Sequence, residues 1–445
     1  MNEPSGVSLV PKEIAARKIV EKLVRNGYQA LYAGGYVRDM LLGLEAGGDV
    51  DIATNASPET ITGLFPRTVS VGEQFGVTVV VCEGVPFEVA TFRSDQGIAD
   101  GRHPGHVVFT DAREDALRRD FTINGMFFDP LSNQVLDYVG GREDLQKKVV
   151  RAIGDPALRF EEDYLRLVRA IRFAARFEFT IEDATWNAIA AKKEGIRRIS
   201  AERILQELDK MLTGPHPDRA IELLHRSGLL AIILPEVETL SGVKQPEKFH
   251  PEGDVFVHTI KALSLLSSPS LILAWSVLLH DIGKPPTMQV TDRIRFHNHN
   301  LVGARMAEEL LRRLKAPVAL IEAVTACIEN HMNFMNVTKM RLSTLKKFLS
   351  RPTLEDELEL HRVDCLASHG DIENYHFLKR KQTELPVHVI KPEPLLRGQD
   401  LIDLGLKPGP VFGTLLKEAY DLQLEDAFAD KEAALDWLKG KISNR

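Results

Sequence analysis

One short segment constrains the fold of this chain more than any other. A glycine pair, Gly34 and Gly35, precedes two aspartates, Asp49 and Asp51, that are separated by a single valine. In a strand over residues 49–53 the side chains alternate, so both carboxylates would project from the same face. Two converging carboxylates suit Mg²⁺, and glycines let backbone N–H groups approach phosphate oxygens. The segment therefore predicts a turn-and-strand unit that binds a metal ion and a nucleoside triphosphate.

The first 150 residues predict a mixed α/β head. Helices and strands follow one another over residues 11–26, 29–33, 37–44, 50–54 and 58–65, and two strands over 76–83 and 86–92 flank a turn. Ser57 precedes Pro58 and predicts an N-cap. Residues 96–106 are rich in glycine and polar side chains, which predicts a mobile loop.

Helical periodicity dominates after residue 156. It predicts helices over 161–177, 181–194, 200–212 and 217–227, a linker over 246–254, an all-helical block over 255–375, and a last segment with two short helices, one starting at Pro410. We therefore predict four domains: a catalytic head (1–150), a helical neck (151–245), a second helical domain (250–380) and a helical tail (390–445).

Composition limits the possible classes of protein. The chain has 445 residues, 44% of them hydrophobic and 27% charged, with no apolar run long enough to span a membrane and no signal peptide at its start. Its three cysteines favour a reducing cytoplasm. The net charge of −7 argues weakly against a nucleic-acid partner, but a local basic lining can bind RNA within an acidic protein. Solvated helix faces are the alternative interpretation of each basic cluster.

Several residues of the head are candidates for binding nucleotide or metal. Arg38 can neutralise triphosphate charge, and Glu88 is either a third metal ligand or a strand carboxylate. Arg118 and Arg119 offer one guanidinium to phosphate and another to an acidic neighbour. Asn124 can hydrogen-bond a ribose hydroxyl or a turn of the backbone. A capped helix with a structural ion pair is the alternative for residues 118–125.

Asp163 and Arg166 form the next candidate pair. They lie three residues apart on the predicted helix 161–177, which would bring them to a common side. A carboxylate accepts from an exocyclic amine and a guanidinium donates to a ring nitrogen or carbonyl, so one pair could accept cytosine and adenine and reject uracil and guanine. A solvated ion pair is the alternative.

The second helical block carries a set of histidines and aspartates typical of a divalent metal site. Its members are His258, His280, Asp281, His297, His299, His331 and Asp364, and all but His299 are our predicted metal ligands. Such a site can activate water to attack a phosphate ester. Isolated core or surface histidines are the alternative.

With these motifs in view, the chain resembles the class II tRNA nucleotidyltransferases and poly(A) polymerases of the polymerase-β-like superfamily, and most of all the CCA-adding enzymes. The resemblance covers about residues 12–240 and rests on GGYVRD…GDVDIATNASPE, FEVATFRSD…DGRHP, RRDFTING, LDYVGGREDL and RAIGDPALRFEEDYLRLVRAIRFAARF. The second helical block resembles the HD phosphohydrolase domain. The implied fold class is α+β, with a polymerase-β-like head of mixed sheet and helices followed by all-α neck, HD and tail domains.

The resemblance implies an activity and assigns roles to residues. It implies cytoplasmic, template-independent addition of C and A from CTP and ATP to the tRNA 3′ end, by phosphoryl transfer with two Mg²⁺ ions. Asp49 and Asp51 would hold the catalytic metal ions, and Asp163 and Arg166 would read the base. The other implied nucleotide-binding residues are Gly34, Gly35, Arg38, Arg119, Arg169 and Arg172. The HD domain would add a second divalent metal.

Two details bear on the activity. Gly125 stands where the family commonly has alanine, which predicts an effect on nucleotide selection. The loop over residues 93–104 is full length, whereas relatives that add only C tend to have it shortened. Adenosine addition is therefore expected.

Two alternatives stay open: an A-adding enzyme or poly(A) polymerase, and a metal-dependent phosphohydrolase, either as a second activity or with the first half serving only to bind RNA.

Overall fold

The computed structural model describes residues 11–44, 49–70, 76–98, 104–246 and 250–443. The chain divides after Ile233 into two compact units. Unit 1 contains the predicted head and most of the predicted neck, and unit 2 contains the remaining helical chain.

The head part of unit 1 alternates helices and strands, as the sequence predicts. In chain order these are α1 (Pro11–Arg25), β1 (Ala30–Ala33), α2 (Gly35–Leu41), β2 (Asp51–Thr54), α3 (Pro58–Leu64), β3 (Thr68–Ser70), β4 (Val77–Cys82), β5 (Val85–Thr91), β6 (Arg93–Ile98), β7 (Pro104–Phe109), α4 (Ala112–Leu117), β8 (Met126–Asp129), β9 (Gln134–Asp137), α5 (Gly141–Lys147) and β10 (Val149–Val150). The predicted N-cap is confirmed, because the Ser57 hydroxyl accepts the Thr60 N–H.

Seven of these strands form one mixed sheet in the order β3-β4-β5-β2-β1-β8-β9. Strands β2 and β5 run parallel, with Ile52 beside Val89, and β1 pairs with both β2 and β8 in antiparallel register. Buried side chains of β1, β2 and β8, including Leu31, Ala53 and Phe127, pack with Phe92 under the sheet. Strand β2 lies between β5 and β1, so its first residue, Asp51, is placed at the end of a central strand of the sheet.

The predicted loop over residues 96–106 is wrong where the structure describes it. Residues 96–98 and 104–106 belong to a two-stranded antiparallel ribbon, β6 with β7, in which Gln96 pairs with His106 and Ile98 with Pro104. A ribbon of this kind is held by backbone hydrogen bonds, so polar side chains and glycines give no sign of it. Residues 99–103 lie outside the described residues.

The neck part of unit 1 is a bundle of short helices. It contains α6 (Pro156–Glu162), α7 (Leu165–Arg176), β11 (Thr180–Ile181), α8 (Asp183–Lys192), α9 (Ala201–Leu212), α10 (Pro217–Ser227) and α11 (Leu230–Ile233). The single helix predicted over 161–177 is wrong: α6 ends at Glu162, and Asp163 has extended backbone angles. Asp163 then accepts the N–H of Leu165, two residues later, at 3.0 Å, and a local bond of this kind from side chain to backbone competes with a continuous helix.

Unit 2 is mainly helical. It contains α12 (Pro235–Glu238), α13 (Val255–Ser264), α14 (Leu271–Leu279), α15 (Lys284–Thr287), β12 (Met288–Val290), β13 (Ile294–Phe296), α16 (His299–Arg313), α17 (Val318–Asn330), α18 (Leu342–Leu349), α19 (Leu354–Ala367), α20 (Glu373–Glu384), α21 (Val387–Ile390), α22 (Gly398–Asp403), α23 (Pro410–Leu424) and α24 (Lys431–Ser443). The small hairpin β12–β13 interrupts the block predicted to be all helical.

The tail agrees with its prediction, since Pro410 occupies the first turn of α23 and α24 follows. No helix among the described residues is long and apolar enough to cross a membrane. The mixed head and helical remainder confirm the predicted fold class, while the division into four domains stays a prediction.

Candidate active site and metal centre

A cavity of about 530 Å³ lies in unit 1, and its lining comes from α2, β2, the segment after α4, α7 and α9. Its lining carries three aspartates, Asp51, Asp120 and Asp163. It also carries eight arginines: Arg38, Arg118, Arg119, Arg166, Arg169, Arg172, Arg176 and Arg203. Positive charge so far in excess of negative charge favours a polyanionic ligand, although the whole chain is acidic.

The glycine pair forms one wall of this cavity, which we call the nucleotide cavity because residues predicted to bind nucleotide line it. Gly34 has φ +66°, and a Cβ there would lie 3.1 Å from Arg119 Nη1 and 3.9 Å from Asp51 Oδ2. Arg119 is itself held by Asp115 and lies over the ring of Phe127. Glycine is therefore required here for both the backbone angle and the close approach.

The two predicted metal-binding aspartates occupy different settings. Asp51 lines the cavity, where burial and then the neighbouring charge of Glu88 raise its pKa to about 6. Asp49 precedes β2, its side chain is 92% exposed, and it accepts from Lys12 Nζ at 2.7 Å. The strand predicted over 49–53 begins only at Asp51, so the alternation expected to align the two carboxylates does not apply.

Glu88 lies beside Asp51 because each residue directly precedes a member of the Ile52–Val89 pair. Two adjacent carboxylates, one of them half-buried and protonated more readily than usual, are a donor set that fits a divalent cation.

Arg38 is buried and fixed on all sides. It donates Nε to Asp39 at 2.7 Å and Nη1 to Asn124 Oδ1 at 2.5 Å. Its guanidinium lies 5.1 Å from the ring centre of Phe173 and 4.7 Å from that of Phe177. The Asn124 amide oxygen predicted for a ribose hydroxyl or a turn is thus engaged by Arg38.

Asp120 continues this network and was not among our predicted site residues. It accepts from Asn124 Nδ2 at 3.0 Å and from Arg169 at 2.5 and 2.8 Å. Burial opposes its charged form, yet Arg169 and the hydrogen bond from Asn124 lower the pKa of Asp120 to about 2. Its position directly after Arg118 and Arg119, within the candidate segment 118–125, is the sequence feature that could have identified it.

The predicted base-reading residues both line the cavity, but they are not one turn apart on a single helix. Asp163 sits in the break between α6 and α7 and pairs with Arg203 at 2.7 Å. Arg166 lies in the first turn of α7 and donates to Glu162 at 2.5 Å. The break, rather than helical spacing, places both side chains in the cavity.

Helix α9 supplies two residues that the sequence analysis missed. Arg203 holds Asp163, and Glu207, one turn later, accepts from Arg172 Nε at 2.6 Å. Glu207 is buried within the apolar stripe of α9, beside Ile204 and Leu208. A charged residue within an apolar stripe could have identified Glu207, because a buried charge needs an oppositely charged partner.

Unit 2 gathers six histidines and aspartates into what we call the histidine cluster: His258, His280, Asp281, His299, His331 and Asp364. His258 Nε2 lies 3.1 Å from Asp364 Oδ1, and His280 Nε2 lies 3.2 Å from Asp281 Oδ2. The ligand atoms of His258, His280 and Asp364 all lie within 4.8 Å of one another, as do those of Asp281, His299 and His331.

Three of these histidines are oriented by backbone carbonyls. The Nδ1 atoms of His280, His299 and His331 lie 2.9, 2.9 and 2.6 Å from the carbonyl oxygens of Val277, Phe296 and Ile328, respectively. A carbonyl only accepts, so Nδ1 carries the proton and Nε2 is left as a ligand atom. Burial lowers the pKa of His331 to about 3, which keeps this ring neutral.

His258 has a different environment. Burial opposes its charged form, but Asp364 and Glu252 raise its pKa to about 9. A positive charge is therefore favoured where two carboxylates converge, and a metal ion would supply it. The donor set of the histidine cluster fits a divalent cation.

His297 does not belong to this cluster. It is exposed and contributes to none of the ligand groups found among the described residues, whereas His299, two residues later, is buried within the cluster. The prediction that named His297 as a ligand is replaced by His299. Residue type does not distinguish the two histidines. They differ in position, because α16 begins at His299 and His297 precedes it.

A second cavity, of about 690 Å³, opens beside the histidine cluster. Its lining includes Asp281, His299, His331 and Asp364. The lining also includes the basic residues Lys284, Arg293 and Arg295, the apolar side chains of Phe296, Met332, Phe334 and Met335, and the exposed His297. A phosphate ester with an apolar or aromatic part fits this combination.

Three known protein families match successive segments of this chain. Residues 30–151 match the poly A polymerase head domain, residues 178–240 match a probable RNA and SrmB-binding site of polymerase A, and residues 255–371 match the HD domain. Fold, cavity and family matches together define a nucleotidyltransferase with an attached HD domain.

Individual relatives extend these matches. The CCA-adding enzyme of Bacillus pumilus is 44% identical over 207 residues, which is 46% of this chain and 51% of that protein, so the chain matches about half the length of that relative. The CCA-adding enzyme of Lactococcus lactis subsp. lactis is 32% identical over 433 residues, covering 96% of this chain and 97% of that protein. The crystal structure of the Bacillus stearothermophilus CCA-adding enzyme in complex with CTP matches with a TM-score of 0.76 and 29% identity, covering 98% of this chain and 99% of that chain. The chain belongs to the family of CCA-adding enzymes.

Proposed function

We propose that this protein adds C and A from CTP and ATP to the 3′ end of tRNA. The observation that carries the proposal is the arginine-rich cavity of unit 1, which joins a half-buried carboxylate at the end of a sheet strand to a candidate base-reading pair. The Bacillus stearothermophilus relative in complex with CTP, which this chain matches over nearly its full length, supports the same ligand.

In this mechanism the tRNA 3′ oxygen forms a bond to the α-phosphorus of the nucleotide, and the bond from that phosphorus to the bridging oxygen of pyrophosphate breaks. Asp51 and Asp49, with Glu88 beside them, would hold divalent cations, for which we propose Mg²⁺. When bound, these ions supply a lowered pKa for the attacking hydroxyl and charge stabilisation on the leaving group.

Side chains of the protein position the triphosphate and the base. Arg38 and Arg119 are fixed by their neighbours before substrate arrives, so little side-chain freedom is lost when they meet the triphosphate. Asp163 accepts from the exocyclic amine of cytosine or adenine and Arg166 donates to the adjacent ring position. The three described cysteines are free thiols, in keeping with a cytoplasmic location.

The test is incorporation of labelled CTP and ATP, offered separately, into tRNA ending at the discriminator base, tRNA ending in CC, and an unrelated RNA. We expect C on the first, A on the second and neither on the third, and no incorporation by Asp51→Ala. An Asp51→Ala protein that still incorporates nucleotide would refute the metal assignment, and equal tailing of unrelated RNA would favour the poly(A) polymerase alternative.

We propose hydrolysis of phosphate esters in unit 2 as a second activity. The specific observation is the cavity that joins the histidine cluster to Lys284 and two arginines. A 2′,3′-cyclic nucleotide is a suitable probe, and His280→Ala should abolish its hydrolysis while nucleotide incorporation persists. Hydrolysis that survives this substitution would remove the histidine cluster from the reaction.

A further inference from the structure

One aromatic side chain in the nucleotide cavity contacts three of its arginines. Phe173 is buried in α7 and is one of the residues that line the cavity. The centre of its ring lies 5.1 Å from the guanidinium carbon of Arg38, 5.3 Å from that of Arg169 and 4.2 Å from that of Arg172. All three distances fall within the range of a cation–π contact, which extends to about 6 Å. Three positive side chains from two helices therefore share one ring.

The spacing of residues along α7 produces this arrangement. Arg169 lies four residues before Phe173, so the two side chains are neighbours on one face of the helix. Phe177, four residues later, continues the row, and its ring stacks on that of Phe173 with the ring centres 6.3 Å apart and 9° between the planes. The guanidinium of Arg38 lies 4.7 Å from the centre of the Phe177 ring. Arg38 thus projects from α2 against two rings on one face of α7.

Carboxylates and the ring stabilise these guanidinium groups in different ways. Each group donates from Nε to a carboxylate: Arg38 to Asp39, Arg169 to Asp120 and Arg172 to Glu207, at 2.7, 2.8 and 2.6 Å, respectively. A carboxylate holds a guanidinium but cancels its charge. An aromatic face attracts a cation through its quadrupole and carries no net charge. The ring therefore stabilises three neighbouring like charges without reducing the positive charge that attracts a polyanion.

This stabilisation is needed because the charges are removed from water. Arg38 is 3% exposed and Arg172 is 9% exposed, and burial lowers the pKa of both guanidinium groups. Like charges that are close together also repel one another. A contact between a cation and a ring is stronger where both are desolvated. The ring of Phe173 therefore offsets part of the free energy that it costs to keep these arginines together beside the cavity.

We propose that Phe173 is a positioning residue for the triphosphate: its ring holds these three arginines in place before the nucleotide binds. The proposal rests on the proposed binding of CTP and ATP in unit 1 and deepens it. Because both nucleotides carry the same polyphosphate, Phe173 raises the affinity for both and does not select between them. A direct stack of the ring on a base is the competing role, since Phe173 lines the cavity.

The test changes the electrostatics of the ring and keeps its shape. The full-length protein is made with phenylalanines that carry one, two or three ring fluorines at position 173, because fluorine withdraws electron density from the face of the ring. Titration calorimetry measures the Kd for CTP and for inorganic triphosphate in the presence of Mg²⁺ and without tRNA, and thermal melts check that each protein is folded. We expect both Kd values to rise with each added fluorine, by about tenfold in total for three.

The matched control places the same fluorinated residues at Phe160, a buried ring of α6 over which none of the described arginines lies, and both Kd values should then stay unchanged. Unchanged Kd values in folded proteins modified at Phe173, or an equal rise in those modified at Phe160, would overturn the proposal. A rise for CTP without one for inorganic triphosphate would also overturn it, because the ring would then contact the base. A graded series from a protein that does not extend tRNA would refute the proposed function and leave the role of Phe173 standing.

Discussion

Asp120 is a buried carboxylate that connects several polar and charged side chains of unit 1. It is buried, it accepts from Asn124 and Arg169, and through Asn124 it is connected to Arg38. Its carboxylate therefore holds Arg169 directly and Arg38 through Asn124, and both arginines line the cavity.

Asp120→Asn is expected to destabilise unit 1. The pKa of Asp120 is about 2 in the fold, against about 3.9 in an unfolded chain, which corresponds to about 2.6 kcal/mol at neutral pH. Because the folded pKa is the lower one, this stabilisation is complete above the unfolded pKa and is lost as the pH falls from about 4 towards 2. Denaturant unfolding at several pH values should show the gap between wild type and variant narrowing on acidification.

The control for this experiment is Glu194→Gln, which removes an exposed ion pair with Arg197 and should change stability by less than about 1 kcal/mol. A gap for Asp120→Asn that stays constant between pH ~7 and pH ~2.5 would contradict the role of the charge.

Gly125 is a packing residue in this structure. A Cβ at this position would lie 2.7 Å from Val139 Cγ2 and 3.1 Å from Ile153 Cδ1, and Gly125 is not among the residues that line the nucleotide cavity. An effect of this departure from the family's alanine on nucleotide selection stays a prediction, and the contact that a side chain here would make with Val139 is a separate, structural consequence.

Gly125→Ala should therefore lower the stability of unit 1 by about 1–3 kcal/mol through overpacking. Adding Val139→Ala, which removes the obstructing methyl group, should recover part of that loss in a thermal melt. Gly63→Ala, on a helix where a new Cβ meets nothing within 4 Å, is the control and should be neutral or mildly stabilising. Additive losses in the double variant would disprove the steric explanation.

At the scale of elements, α9 holds side chains at the start and in the middle of α7, including Asp163, which we propose to read the base. Arg203 and Glu207 lie one turn apart and engage Asp163 and Arg172, respectively. A planar guanidinium binds both oxygens of a carboxylate and so limits its rotation, whereas an ammonium does not. The orientation of Asp163 towards a base thus depends on a different helix.

Arg203→Lys keeps the charge and loses this geometry. We expect the ratio of kcat/KM for CTP over UTP to fall about tenfold, equivalent to ~1.4 kcal/mol, with little change in the KM for tRNA. Arg197→Lys, an exposed residue of the same neck, should leave the ratio unchanged. Unaltered discrimination in Arg203→Lys would show that Asp163 is oriented without α9.

Elements with a regular pattern could be predicted from the sequence, and the exceptions have local causes. Helix α10 begins and ends where the pattern of residues 217–227 places it. The break at Asp163 was missed because the apolar spacing continues through it, and its local sign is the hydrogen bond that the Asp163 side chain accepts from the Leu165 N–H. The pairing of Asp163 with Arg203 joins residues 40 positions apart, which no local pattern reports.

For the molecule as a whole, the two compact units carry the two sites for which we propose different activities. Unit 1 surrounds its cavity with arginines and few carboxylates, which suits the transfer of a charged nucleotide. Unit 2 surrounds the histidine cluster with imidazoles, carboxylates and an apolar cavity, which suits metal-activated water and a small phosphate ester. The motifs for each site could be recognised in the sequence, whereas the choice of His299 over His297 as a candidate ligand depended on where a helix begins.

The central claim is that unit 1 extends tRNA by C, C and A, and sequencing the 3′ ends of products tests it most directly. The substrate is a tRNA ending at the discriminator base, incubated with the full-length protein, CTP, ATP and Mg²⁺. The account predicts products that end in CCA and extend no further, with unextended tRNA from the Asp51→Ala protein. A tract of A residues attached directly to the discriminator base, or unextended tRNA from the wild-type protein, would contradict it.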